Sequence, residues 1–76
     1  MHLSAIKKGE TCVVTQMPED ITTRNYLLVN GFFVGAEVEV NANDSLRQLL
    51  HLSVGGRFLA MRKADAQLIN VQKTEG

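Results

Sequence analysis

The chain has 76 residues, 45% of them hydrophobic and 21% charged, and eight basic residues balance eight acidic ones. This length supports a single domain over residues 1–76, and the composition is typical of a globular chain rather than a disordered one. Zero net charge disfavours nucleic acid as a partner, and the N-terminal sequence has no apolar run of the kind that directs export or spans a bilayer.

The first predicted element is a strand over residues 11–17, which are rich in β-branched side chains and precede Pro18. Proline cannot donate a hydrogen bond to a sheet, so we expect the strand to end there. Cys12 lies in this strand beside a valine, and we expect its thiol to pack as a small hydrophobe rather than act as a nucleophile. A single cysteine cannot close a disulfide within the chain, which favours a reducing, cytoplasmic setting.

A helix is predicted over residues 20–30, with Asp20 or Thr22 as its N-cap. Gly31 ends this helix, and a left-handed conformation at the glycine would place Phe32 over the helix. The end of the helix is therefore better defined than its start. The apolar side chains that are spaced to share one face are Ile21, Leu27 and Leu28. We expect Phe32 to contact Leu27.

After a turn at residues 34–35, the clearest strand signal covers residues 36–40. Strict alternation puts Val38 and Val40 on one face and the two glutamates on the other. Residues 41–45, Asn-Ala-Asn-Asp-Ser, have turn-forming chemistry. We expect them to connect this strand to the next one.

The following segment predicts a hairpin, because a Gly55-Gly56 turn separates two apolar runs. Arg57–Arg62 should pair back onto the preceding strand, while residues 63–66 form one helical turn and residues 67–71 form a last strand. Three side chains of the preceding strand are expected to share the core face: Leu50, Leu52 and Val54.

Five short strands with tight turns favour a small closed or nearly closed barrel, which encloses one core and removes sheet edges. The predicted fold class is mostly β. We expect an SH3-like barrel of about five strands, with one α-helix between strands one and two.

Catalysis has no candidate residues, because the sequence lacks a glycine-rich phosphate loop, a nucleophile elbow and a suitable acid pair. His51 is isolated and faces away from the predicted core, which is typical of a solvated histidine. Glu37 and Glu39 share a strand face and could present two carboxylates to a metal ion, but strand alternation alone explains them. Since the histidines and Cys12 come from separate elements, we assign no metal and no cofactor.

The only local positive bias surrounds the last hairpin, and a solvated rim explains it at least as well as a binding site does. It comprises Arg57, Arg62 and Lys63. The aromatic residues are too few to form a stacking platform for nucleic acid. The three phenylalanines, Phe32, Phe33 and Phe58, are expected in the core. One of the adjacent pair, Phe32 or Phe33, could instead form part of an exposed docking patch.

These segments, in this order and spacing, resemble the FeoA domain family over nearly the whole chain. The family is the small cytoplasmic component of bacterial ferrous iron uptake, and it also occurs as a terminal module of iron-dependent repressors. Two departures stand out: Val34 replaces the usual proline, and residues 41–48 replace a proline- and glycine-rich loop. The matching positions are Leu3, Gly9, Arg24, Leu27 and Leu28, the run of residues 31–40, and the run of residues 58–71.

The resemblance implies an SH3-like barrel that binds the cytoplasmic part of the FeoB ferrous iron transporter without entering the membrane. The helix and adjoining loops are the expected contact surface. The alternative function is a metal-responsive regulatory module, related to the C-terminal domain of iron-dependent repressors, in which Glu37 and Glu39 would be the carboxylate candidates. A nucleic-acid binder ranks third, and a homo-oligomer stays open. The candidate partner-binding residues are Arg24, Tyr26, Phe33 and Arg47.

Overall fold

Five antiparallel strands form one sheet in the computed structural model, which describes residues 1–74. A short 3-10 helix, Leu3–Ala5, precedes them. A longer helix, α1 (Ile21–Val29), lies between the first two strands, and a one-turn helix, α2 (Lys63–Ala66), lies before the last. The strands are β1 (Thr11–Gln16), β2 (Glu37–Asp44), β3 (Leu49–Val54), β4 (Arg57–Arg62) and β5 (Asn70–Lys73).

The strand order in the sheet is β4-β3-β2-β1-β5, so β2 holds the middle position. The register of β2 against β3 shifts between Val40 and Ala42. Before this bulge β2 pairs with both β1 and β3, and after it β2 pairs with β3 alone. A bulge bends a strand and increases its twist, so the sheet curls around its own inner face. The fold is an SH3-like barrel, mostly β, as predicted.

The core fills the inside of this curled sheet, and every strand and helix contributes to it. No helix within residues 1–74 is long and apolar enough to cross a membrane. The largest fully buried side chains come from β3, α1, the 3-10 helix and three of the connecting segments: Phe32, Leu3, Ile6, Leu27, Leu50, Leu52 and Ile69.

Helix α1 begins and ends as predicted but turns a different face to the core. Asp20 is the N-cap, and its carboxylate accepts hydrogen bonds from the Thr23 backbone N–H at 2.9 Å and the Thr23 hydroxyl at 2.8 Å. Leu27 is fully buried, whereas Ile21 is 62% exposed and Leu28 is 47% exposed. The prediction that these three side chains share the core-facing side of the helix is therefore wrong. The helix contacts the core along one narrow line at Leu27, and Leu28 is turned about 100° away from it.

The helix ends in a glycine motif that anchors the next loop. Gly31 has a φ of +92°, and its N–H donates to the Leu28 carbonyl at 3.1 Å. The Phe32 N–H donates to the Leu27 carbonyl at 2.9 Å, and both side chains are fully buried. This is the pair of hydrogen bonds, with its apolar contact, that a left-handed glycine makes possible at a helix end. The prediction for Gly31 and Phe32 is confirmed.

The β3–β4 hairpin is confirmed at both strands and at its turn. Gly55 and Gly56 have φ angles of +57° and +76°, which a two-residue type I′ turn requires. Phe58 is 83% exposed, so its predicted place in the core is wrong. In the register of the hairpin Leu59 pairs with Leu52 on the inner face, which sends Phe58 to the outer face opposite Ser53.

Two predicted boundaries in the second half of the chain are wrong. Strand β2 continues to Asp44 through the residues predicted to be a turn, because pairing with β3 from residue 49 overrides their local preference. The turn instead occupies residues 45–48. Strand β5 begins at Asn70 rather than residue 67, because the N–H groups of Leu68 and Ile69 still donate back to α2.

Candidate functional site

The longest series of exposed apolar side chains lies on α1 and on the loop that follows it. Ile21 and Leu28 are seven residues apart, so they lie on the same side of the helix, and Val29, at the last helical position, is 78% exposed. Phe33 and Val34 continue the series in the loop. Contiguous exposed apolar residues mark docking surfaces in soluble proteins. We call these five residues, Ile21, Leu28, Val29, Phe33 and Val34, the helix face.

Backbone hydrogen bonds to β1 hold the loop part of the helix face in place. The Gly35 N–H donates to the Val14 carbonyl at 2.8 Å, and the Val14 N–H donates to the Ala36 carbonyl at 2.9 Å. The Ala36 N–H closes a turn on the Phe33 carbonyl at 2.9 Å. Because the buried Phe32 ties down the other end, the helix face needs little ordering when a partner binds.

A groove of about 480 Å³ opens beside Phe33. Glu37 and Glu39 line it together with Ser53 and the hairpin glycines, so the two glutamates do share one side of β2. Within residues 1–74 no group of three or more His, Cys, Asp or Glu side chains is placed to hold a metal ion. Two carboxylates supply fewer ligands than a hard cation takes from a dedicated site.

The four predicted partner-binding residues do not converge on one groove. Phe33 belongs to the helix face, and Arg24 is a half-buried residue on α1. Tyr26 lines a different groove, between α1 and β4. Arg47 lies in the turn after β2, where its guanidinium binds the Asp44 carboxylate at 3.1 Å. The helix and its loop thus hold three of the four residues, on two different sides.

Sequence reasoning missed most of the helix face, because it assigned Ile21 and Leu28 to the core and did not single out Val29. One signal was available. Leu27, Leu28 and Val29 are consecutive, and consecutive residues of a helix are turned by about 100° from one another. A single core-facing line cannot bury all three, so part of this run had to be exposed.

The predicted basic cluster separates into two places. Arg57 begins β4 and Arg62 ends it, so the two lie roughly 17 Å apart along the strand. Lys63 follows Arg62 and lines a small groove together with Arg47. The Arg62 guanidinium also binds the Asp65 carboxylate at 3.1 Å.

Two titratable groups outside these grooves, Cys12 and Glu10, have pKa values altered by their surroundings in the fold. Burial raises the pKa of the Cys12 thiol to about 11, so the thiol stays protonated and unreactive at neutral pH. The Lys73 ammonium, with the Lys7 backbone N–H, holds the pKa of the Glu10 carboxyl below its usual value. His51 is exposed on the outer face of β3. These groups form no acid and base pair suited to catalysis in the described part of the chain.

Comparison with known proteins identifies similar sequences and folds. The family model of the FeoA domain matches residues 1–73. An iron uptake regulatory protein (FeoA), solved as a crystal structure, is 26% identical with a TM-score of 0.88, over 97% of this chain and 96% of its own. The FeoA protein from Chlorobium tepidum is 29% identical with a TM-score of 0.89, over 100% of this chain and 72% of its own.

A manganese-dependent transcriptional repressor has the same fold as part of a longer chain. Its TM-score is 0.90 at 19% identity, over 96% of this chain and 40% of the repressor. At that identity the similarity concerns the fold alone. A search of curated protein sequences found no match.

Proposed function

Because this chain belongs to the FeoA domain family, we propose that it is a cytoplasmic accessory protein of ferrous iron uptake that binds the cytoplasmic part of a FeoB-type transporter. The family match over residues 1–73 supports the iron uptake context. Similar solved structures carry names that refer to iron uptake and iron(II) transport. The proposal treats the chain as a binding protein rather than an enzyme.

The helix face is the observation that carries this proposal. Its five apolar side chains are exposed although the core beneath them is complete without them. Burying apolar surface contributes roughly 25 cal/mol per Å², so a partner that covers these side chains gains binding energy directly. The loop that presents Phe33 is already hydrogen-bonded to β1, which keeps the entropic cost of binding low.

Within the proposed interface Phe33 is the anchor, because aromatic side chains contribute most to protein interfaces. Arg24 lies next to Leu28 around the helix axis and is placed to form part of a polar rim. Tyr26 and Arg47 line other grooves, and we give them no part in this contact. The barrel acts as a rigid support for the surface.

Calorimetric titration of this protein with the purified cytoplasmic part of a FeoB-type transporter tests the proposal. We expect saturable binding that Phe33→Ala weakens about tenfold or more. Leu46→Ala is the matched control, since Leu46 is 93% exposed in the turn between β2 and β3, away from the helix face. No saturable binding of the unaltered protein, or an equal effect of both variants, would contradict the proposal.

The alternative function, a metal-responsive regulatory module, is favoured by one observation: Glu37 and Glu39 share a groove. Two carboxylates would need further ligands from a partner to hold a metal ion firmly. Titration of this protein alone with manganous or ferrous ion distinguishes the two functions. Tight binding that Glu37→Ala or Glu39→Ala abolishes would favour the regulatory module, and only weak, non-saturating binding is expected from the accessory protein.

A further inference from the structure

Strand β4 is a regular edge of the sheet. It pairs with β3 alone, over six consecutive residue pairs without a register shift, and it contains no proline. In an antiparallel pair alternate residues direct their N–H and C=O groups to the neighbouring strand, so the other residues of β4 direct theirs to the open side. The opposite edge, β5, is only four residues long and pairs with β1 across a bulge.

A groove of about 500 Å³ opens between helix α1 and the last three residues of β4, and Leu49 of β3 also lines it. Thr22, Thr23 and Tyr26 form its helix side, while Met61 and Arg62 form part of its strand side. Tyr26 and Leu28 are two residues apart on the helix, about 200° around its axis. The groove therefore lies nearly opposite Ile21 and Leu28, while Val29, three residues after Tyr26, lies between the two surfaces. The groove and the helix face share no lining residue and are distinct sites.

Both charged residues of β4 are arginines, and one acidic residue, Asp65 of α2, also lines the groove. Arg57 and Arg62 begin and end β4, and no acidic residue lies between them. The Arg62 guanidinium uses its Nε and one terminal nitrogen to bind Asp65, and its remaining N–H groups stay available. An extended segment with carboxylates five residues apart would match both arginines, whether it ran parallel or antiparallel to β4.

A second copy of β4 is a poor occupant of the same edge. Antiparallel pairing of two β4 strands about a two-fold axis would place Arg57 of one copy opposite Arg62 of the other. Like charges directly opposite each other destabilise a strand pair. The arginines thus oppose self-association while they attract an acidic strand.

We propose that the groove between α1 and β4 binds an extended acidic segment of a partner protein as a sixth strand of the sheet. Backbone hydrogen bonds to the open side of β4 supply the affinity, and an apolar side chain of the segment enters the groove against Tyr26 and Met61. On the outer face Phe58 packs against a second side chain of the added strand. This site is additional to the helix face, and its partner need not be the transporter.

The probe is a blocked hexapeptide, acetyl-Glu-Thr-Leu-Val-Thr-Glu-amide, titrated into the full chain and followed by amide NMR shifts and hydrogen exchange. We expect saturable shifts in β4 and at Tyr26, with slower exchange at alternate residues of β4. The same peptide with lysine at both ends, or with proline in place of valine, should not bind.

Arg57→Glu should lower the affinity for the acidic peptide about fivefold or more, and Lys8→Glu is its matched control. Both variants change the net charge equally, but Lys8 lies in the loop before β1. The proposal is overturned by absence of binding at millimolar peptide, by equal binding of the charge-reversed or proline peptide, or by an equal effect of both variants. If the β4 amides exchange more slowly at higher protein concentration in the absence of peptide, the edge instead binds a second copy of this chain. Because these experiments contain no transporter, none of these outcomes bears on the proposed function.

Discussion

Helix α1 and the β3–β4 hairpin both adjoin glycine turns, yet they use their apolar residues in opposite ways. In the hairpin the inner residues of β3 are buried, and the apolar residues that alternate along its sequence are the ones that are buried in the structure. In α1 only Leu27 is buried, while Ile21, Leu28 and Val29 are exposed. The apolar residues on the inner face of β3 stabilise the fold, whereas most of those on α1 are available for binding.

Two adjacent leucines of α1 provide the sharpest test of this difference. Leu27→Ala should lower the free energy of unfolding by about 3 kcal/mol, because it removes a fully buried side chain and leaves a cavity. Leu28→Ala should cost less than about 1 kcal/mol, because much of that side chain is already in water. Urea unfolding measures both, and equal losses would show that α1 uses both residues for folding.

The dependence of stability on alkaline pH tests whether a side chain of the sheet interior, the Cys12 thiol, is buried. The pKa of the Cys12 thiol rises from 9.0 to about 11 on burial in β1. Between these values the unfolded thiol loses its proton while the folded thiol keeps it. Stability therefore falls as pH rises, and the loss approaches roughly 3 kcal/mol above pH 11.

Urea unfolding from pH 8 to pH 10 measures the onset of this loss. Tyrosine and lysine titration contributes in the same range, so the informative quantity is the difference from Cys12→Ala. We expect the variant to be less stable at neutral pH, because burial of the thiol is lost. The gap should narrow as the pH rises. A constant gap would mean that the thiol is not desolvated in the folded protein.

The hairpin was more predictable than the helix because its signals are local. A two-glycine turn fixes the register, and the period of two then decides which side chains of β3 point inward. Helix α1 also had local signals at its ends, Asp20 and Gly31, and both were correct. Which side of the helix meets the core depends on how it lies on the sheet, and the residues of α1 alone do not determine that.

The misplaced Phe58 and the longer β2 both depend on the arrangement of the sheet rather than on local residue preference. No layer packs over the outer face of β4, so an apolar residue there is exposed. Residues 41–44 prefer turns by themselves but become a strand by pairing with β3. For the candidate site, sequence identified Phe33 and the helix region, whereas the separation of Tyr26 and Arg47 from that surface required the three-dimensional arrangement.

The smallest expected effect is a difference in pKa between one carboxyl group at the helix and one at the β2–β3 turn. Asp20 accepts the Thr23 backbone N–H at 2.9 Å, and Asp44 accepts the Arg47 backbone N–H at 3.0 Å. These bonds hold the pKa of each carboxyl below its usual 3.8. Both groups therefore stabilise the fold above that pH, and the stabilisation is lost as pH falls through the folded-state pKa.

Salt should separate these two carboxylates. The second cause of the lowered pKa at Asp20 is the uncharged hydroxyl of Thr23, whereas at Asp44 it is the guanidinium of Arg47. Exposed charge pairs are screened by salt, and hydrogen bonds to neutral groups are screened much less. NMR titration of the carboxyl carbons at low and high salt should raise the pKa of Asp44 more than that of Asp20. In Arg47→Ala the pKa of Asp44 should lose this salt sensitivity but stay lowered by the backbone bond. Equal salt responses in the unaltered protein would mean that the guanidinium contributes nothing, and that the carboxylate at the turn, like the one at the helix, is held by hydrogen bonds from uncharged groups alone.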